Sequence, residues 1–244
     1  MPRFFIGSEN ICGEEAFVTG ADAVHIGRSL RMRLGDEITL CCEGREYSCK
    51  LLSISDTVCR CEIRSCAEGE SEPDIALTLF QAVPKSDKLE LIVQKAVELG
   101  ACGICPVLTG RCVSRPDEKS FRKKLDRLNK IALEAAKQCG RSIVPTVSEI
   151  ISFDECVKRL CEKDIPIICY EKGGKNLREI NWGDRMANMS VGVLVGSEGG
   201  FEPSEAEKCI SAGIIPVGLG SRILRCETAP IAALSIIMNL TGNM

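Results

Sequence analysis

Two glycine-interrupted stretches near the C-terminus constrain this chain most: Val193-Leu-Val-Gly-Ser-Glu-Gly-Gly-Phe201 and Leu219-Gly-Ser-Arg-Ile-Leu-Arg-Cys-Glu-Thr-Ala229. Each belongs to an apolar run that breaks into a small-residue loop and restarts as helix. A strand ending in small residues exposes backbone N–H and C=O groups and lets a ligand approach the main chain closely. Two such loops predict one pocket, and Glu198, Arg222, Arg225, Glu227 and Thr228 load it with more polar groups than a plain connection needs.

Phosphate-loop readings fail on the residues. Gly218-Leu-Gly220 has Ile223 where a dinucleotide fingerprint needs a third glycine, and Gly196, Gly199 and Gly200 are wrongly spaced for it. Gly173-Gly-Lys175 continues with Asn176 and lacks the earlier glycine of a Walker motif, while Ser197 follows Gly196 but has Val195 where a hydrolase elbow needs glycine. The ligand is therefore not expected to be held as a pyrophosphate.

The 244 residues allow two domains with a substantial core. Aromatics make up only 4% of the chain, which argues against base-stacking platforms for single strands. A net charge of −3 hides a basic segment: residues 111–141 hold ten Lys/Arg (Arg111, Arg115, Lys119, Arg122, Lys123, Lys124, Arg127, Lys130, Lys137, Arg141) against four acids. Such a patch binds phosphates whatever the total charge, or is simply a solvated helix face.

Sixteen cysteines raise the question of disulfides or metal. No leader-like start or membrane-length apolar run is present, so a cytoplasmic protein with reduced thiols is predicted. Cys102-Gly-Ile-Cys105 has ligand spacing, but no second matched pair follows and the sole histidine, His25, is remote. No metal is expected; the cysteines read as small buried hydrophobes.

Residues 1–70 read as short strands, with alternation at 36–40, 46–52 and 57–63, and Ala67-Glu-Gly-Glu-Ser-Glu-Pro73 reads as an acidic linker. From Ile75 the rhythm becomes strand–helix–strand, which predicts a largely parallel sheet covered by helices. Asp87 with Glu90 suggests a capping box opening a helix that ends at Gly100, and a longer helix is expected over 117–139. Strands are predicted at 165–170, 191–195 and 214–217, then a last helix with Thr228 as cap and Pro230 in its first turn. Its stripe of Ile231, Leu234, Ile237 and Met238 is broad enough for a subunit interface as well as a core.

The two loops, together with Met1-Pro-Arg-Phe-Phe5, the segments 25–36 and 88–100, and Gln138-Cys-Gly-Arg141, resemble the RsmE family of 16S ribosomal RNA (uracil-N3)-methyltransferases, members of the SPOUT superfamily. The resemblance runs the length of the chain; Ser197 stands where many relatives carry proline. It implies an α/β fold: a SPOUT-type domain over 74–244 with a trefoil knot, preceded over 1–70 by a small PUA-like β-barrel that binds RNA. It implies S-adenosyl-L-methionine as cofactor, 16S ribosomal RNA, in the small ribosomal subunit, as substrate, and a homodimer with no membrane association.

By the same resemblance the cofactor-binding positions are Tyr170, Val195, Gly196, Glu198, Gly199, Gly200, Leu219, Gly220, Ile223, Leu224 and Thr228. Methyl transfer from a sulfonium needs no metal but an in-line arrangement, so positioning is the main catalytic contribution. Uracil N3 must lose a proton first, which a cation beside O2 or O4 assists: Arg225, with Arg222 second. Glu198 or Glu227 is the candidate proton acceptor, and either is alternatively a loop organiser. The base must be unpaired or flipped out. Arg3, Arg28, Arg31, Arg33, Lys123, Lys124, Arg127 and Arg141 are the candidate RNA-backbone contacts. Two other readings remain: a ribose 2′-O-methyltransferase on the same fold, and a non-catalytic RNA-binding assembly factor.

Overall fold

A computed structural model describes residues 1–183 and 188–244. The chain divides into two compact units, one formed by Met1–Glu72 with Ala136–Val144, the other by Pro73–Ala135 with Pro145–Met244.

The first unit contains β1 (Arg3–Phe5), β2 (Ile11–Cys12), β3 (Glu15–Thr19), α1 (Gly20–Val24) running into a π turn at His25–Ser29, β4 (Glu37–Cys42), β5 (Arg45–Ile54) and β6 (Val58–Glu68). They form one sheet in the order β1-β4-β5-β6-β3-β2, antiparallel except for the β1–β4 pair. The period-two pattern works as expected: Cys49 and Leu51 on β5 and Cys59 and Cys61 on β6 join Phe4, Val18, Ile38 and Leu40 in one buried cluster. Cysteine serves there as a small hydrophobe, and burial pushes the Cys49 thiol up to about 11 and Cys61 up to about 12.

The acidic stretch expected as a linker is ordered. Ala67 and Glu68 continue β6, and the Glu72 carboxylate accepts from Arg141 Nε at 3.1 Å and from the N–H groups of Ser142 and Ile143 at 2.9 and 3.0 Å. Its partners lie some seventy residues away in the chain, which is why its composition alone reads as solvated connector.

The second unit contains β7 (Ala76–Ala82), α2 (Lys88–Glu98), β8 (Gly103–Leu108), α3 (Glu118–Cys139, whose last turn counts with the first unit), β9 (Thr146–Val147), β10 (Ile151–Ser152), α4 (Phe153–Cys161), β11 (Ile165–Cys169), β12 (Ser190–Val195), α5 (Pro203–Ser211), β13 (Ile215–Val217) and α6 (Thr228–Leu240). Every strand pair is parallel, in the order β10-β8-β7-β12-β11-β13 with β9 beside β8. Central β12 is buried from Val191 to Val195, as a strand covered on both faces must be. Each of its large apolar side chains contributes about 1.5–3 kcal/mol of burial.

Helix starts partly correct the sequence reading. Asp117 caps α3, its Oδ1 accepting from Ser120 N at 2.7 Å, a cap the sequence reading did not single out. Asp87 makes no side-chain cap to α2; Glu90 instead pairs with Arg127 at 2.8 Å. Thr228 is the first residue of α6 rather than its cap, a position held by Glu227.

Because β11, β12 and β13 are neighbours and parallel, their C-terminal ends share one edge of the sheet, and the loops that follow them gather there. This is where ligands bind in open α/β sheets. The loop after β11 is stitched to β13: Lys175 N donates to Pro216 O at 3.0 Å and Gly218 N to Lys175 O at 3.1 Å. Gly174 makes that crossing possible, since a Cβ there would lie 2.6 Å from Pro216 O. Among the described residues no helix is long and apolar enough to cross a membrane.

Candidate functional site

A cavity of about 850 Å³ opens at this shared edge, lined by residues 195–201 after β12, 217–226 after β13, parts of 169–179 after β11, and Lys88 at the start of α2. Of the positions expected around a cofactor, Tyr170, Val195, Gly196, Glu198, Gly199, Gly200, Leu219, Gly220, Ile223 and Leu224 all line it, together with Arg222 and Arg225. Thr228 does not; its neighbour Ala229 does. Glu227 is outside the lining but reaches it through Lys88.

The first loop is held from below and from the side. Gln81, fully buried on β7, donates through Nε2 to Gly196 O at 3.2 Å. Arg111 donates to Gly199 O at 3.0 Å, and Ser197 Oγ reaches Arg111 O at 3.4 Å. The serine thus substitutes a weak hydrogen bond for the rigidity of proline.

Charge in the site centres on Lys88, whose Nζ is 3.0 Å from Glu198 and 3.2 Å from Glu227. The hydrogen bonds to Glu198 and then Glu227 raise the ammonium's pKa. Glu198 also accepts from Lys85 N at 3.2 Å. Burial works to raise the Glu198 carboxyl, but its backbone N–H bonds and Lys88 outweigh that and hold it below the ordinary value. Glu227 is lowered by the Cys226 thiol and by Lys88, while burial pushes Cys226 up to about 12. Both carboxylates are therefore occupied and weakly basic, which favours the organiser role over proton acceptance. Arg222 and Arg225 are exposed on the cavity wall.

Sequence reasoning passed over Lys88, Gln81, Glu171 and Lys175. Lys85-Ser-Asp-Lys88 reads only as a helix start; nothing local says that Ser86 takes a φ of 56° in the turn before the lysine.

The candidate RNA contacts fall into three groups. Arg141 is corrected: it is 3% exposed and clasped by Glu72, so it presents no guanidinium to a surface. Arg3 is half-committed, bound to Glu46 at 2.8 Å and to Cys41 Sγ at 3.0 Å. Arg28 is exposed and bound to Asp56, with Nε 3.0 Å from Oδ1. Arg127 pairs with Glu90, and Lys124 donates to Ser86 O at 3.2 Å. Arg31, Arg33 and Lys123 are exposed. Cys102 is exposed while Cys105 is buried, and among the described residues no group of three His, Cys, Asp or Glu is arranged to hold a metal.

A family described as an RNA methyltransferase domain matches residues 70–238, and one described as an RNA methyltransferase PUA domain matches residues 18–64. The chain is 36% identical to the ribosomal RNA small subunit methyltransferase E of Bacillus subtilis, across 97% of this chain and 96% of that protein. This chain belongs to the ribosomal RNA small subunit methyltransferase E family. The member from Mesomycoplasma hyopneumoniae is 30% identical, across 96% of this chain and 98% of its own. A crystal structure of the Neisseria gonorrhoeae member bound to S-adenosyl methionine superposes with a TM-score of 0.87 at 30% identity, covering 98% of both chains.

Proposed function

We propose that this protein is an S-adenosylmethionine-dependent methyltransferase that modifies N3 of a uridine in 16S ribosomal RNA of the small subunit. The observation that carries the reading is the single cavity formed by both glycine loops at the C-terminal edge of β11, β12 and β13, with Arg222 and Arg225 on its wall. The residues fit the cofactor. Gly218 lines the cavity with nothing within 4 Å of where its Cβ would stand and with no positive φ, so neither packing nor backbone conformation demands glycine there. The open space beside its Cα leaves room for a ligand to lie against the main chain.

When bound, S-adenosylmethionine supplies an electrophilic methyl carbon on a sulfonium. The chain's own task is to place and ionise the acceptor. Arg225 sets a fixed cation beside the uracil carbonyl, stabilising the negative charge that develops as N3 loses its proton. Glu198 and Glu227, tied up by Lys88, hold the loops, and the proton leaves to solvent. Loss of a 3-methyluridine signal from the ribosomal RNA of cells lacking the gene, with its return on complementation, tests the reaction by mass spectrometry. A ribose-methylated nucleoside in its place identifies the 2′-O alternative.

Residues 1–70 are proposed as a PUA-like barrel that holds RNA and residues 74–244 as the methyltransferase domain, of which 136–144 count with the first unit. A trefoil knot is proposed through the 173–176 and 218–226 segments, which run side by side at the Lys175–Val217 bridge. The protein is proposed to act in the cytoplasm as a homodimer paired through α6, whose Ile236 is 38% exposed. Light scattering at micromolar concentration checks the dimer; a fully active monomer overturns it.

A further inference from the structure

Three chain segments converge on the Lys88 ammonium. α2 carries it at its first position, Glu198 comes from the loop after β12, and Glu227 from the segment before α6, at 3.0 and 3.2 Å. Lys85 N, three residues earlier, reinforces the hold on Glu198 at 3.2 and 3.3 Å to its two oxygens. Cys226 joins through its thiol, 3.6 Å from Nζ and 3.2 Å from the Glu227 carboxylate. The two carboxylate-bearing loops, 196–201 and 218–227, have no helix and no sheet strand of their own. The bonds from Gln81 and Arg111 hold the first loop but do not reach the second, and Lys88 joins the two.

We infer that Lys88 is a positioning residue: a strap that sets the distance between the two glycine loops and so preorganises the backbone groups facing the cavity. A lone exposed ion pair has little effect on order. Here one ammonium serves two carboxylates at once, one of them already fixed by a backbone N–H, so ordering one side chain restrains two loops. Without the cation, Glu198 and Glu227 become two like charges with no counterion between them, and their repulsion drives the loops apart. The inference rests on the cavity being the S-adenosylmethionine site.

Lys88→Met keeps the stem and removes the charge. Two measurements follow: hydrogen exchange on the ligand-free protein, and calorimetric titration with S-adenosylmethionine. Exchange in 196–201 and 218–226 is expected to accelerate about fivefold while β7 and β12 keep their protection, because the opening is local. Cofactor affinity is expected to fall about tenfold, with KM rising and kcat at saturation little changed. Lys88→Arg should stay near the parent in both. Adding Glu227→Gln to Lys88→Met should recover part of the loss, since one unpaired charge is removed; a side chain that only fills space would show no such rescue.

Weakened affinity with parental exchange in both loops would mean that Lys88 touches the ligand directly, and the strap is wrong. Parental affinity and exchange in Lys88→Met also overturn it. If the parent itself binds no S-adenosylmethionine, the cofactor reading fails, while the exchange data still decide whether Lys88 holds the loops.

Discussion

Two cation–carboxylate clusters, one in each unit, look equivalent in the sequence and are opposite in kind. Arg141 and Glu72 are closed: the guanidinium side chain is 4% exposed, and Glu72 also accepts two backbone N–H groups, leaving no room for a ligand. Lys88, Glu198 and Glu227 are open, the lysine 31% exposed on the wall of a cavity. A saturated, buried pair is a device for holding chain together. A partly solvated cluster that shares its cavity with two exposed cations, Arg222 and Arg225, retains capacity for something that arrives from outside.

The largest effects should separate the two clusters cleanly. Arg225→Ala is expected to lower the single-turnover methylation rate by about two to three orders of magnitude, with melting temperature and cofactor affinity little changed. Arg225→Lys should recover only part, because an ammonium lacks the planar donor fork. Arg141→Met should do the reverse: about 2–3 kcal/mol of stability lost in urea titrations, because the half-buried Glu72 carboxylate keeps its two backbone donors but loses its counter-charge, with turnover retained wherever the variant is folded. An Arg141→Met protein as stable as the parent, or an Arg225→Ala protein that melts early, would erase the distinction.

The pH dependence of stability offers a second separation. Glu72 is held below its ordinary 4.5: burial opposes this, but Arg141 and the Ser142 and Ile143 N–H groups prevail. A carboxyl depressed in the folded state binds its proton more readily when unfolded. Its stabilising contribution is therefore fully present above about pH 4.5 and is lost as pH falls below that value. The stability gap between parent and Glu72→Gln should accordingly be constant near neutrality and close in acid. A gap that persists unchanged to pH 3 would mean the cluster holds by shape rather than by charge.

Much of the second unit was legible because its signals are local. β12 is an apolar run and both glycine loops follow strands, and ten of the eleven expected cofactor positions fall on one cavity. What was hidden depends on pairing across distance. Nothing near Glu72 announces Arg141, and nothing near Lys88 announces Glu198 or Glu227, over a hundred residues on. Composition reads such residues as surface charge, since isolated charge is mostly solvated. The left-handed Ser86 that aims the Lys85–Lys88 turn was invisible for the same reason: its conformation is imposed by its surroundings.

The smallest expected effect concerns the basic residues of α3. Lys123 is exposed, whereas Arg127 lies 2.8 Å from Glu90 and makes a locally neutral pair. If α3 contacts RNA phosphates, Lys123→Ala should reduce the slope of log affinity against log salt by about 0.7–0.9, the release of one counterion. Arg127→Ala with Glu90→Gln removes one charge of each sign and should leave the slope nearly unchanged. Cofactor affinity should not move in either. Equal slopes in the parent and Lys123→Ala would make α3 an ordinary solvated face, and a slope that falls as much in the double variant would show that RNA displaces Glu90 from Arg127, turning a closed pair into an open one on binding.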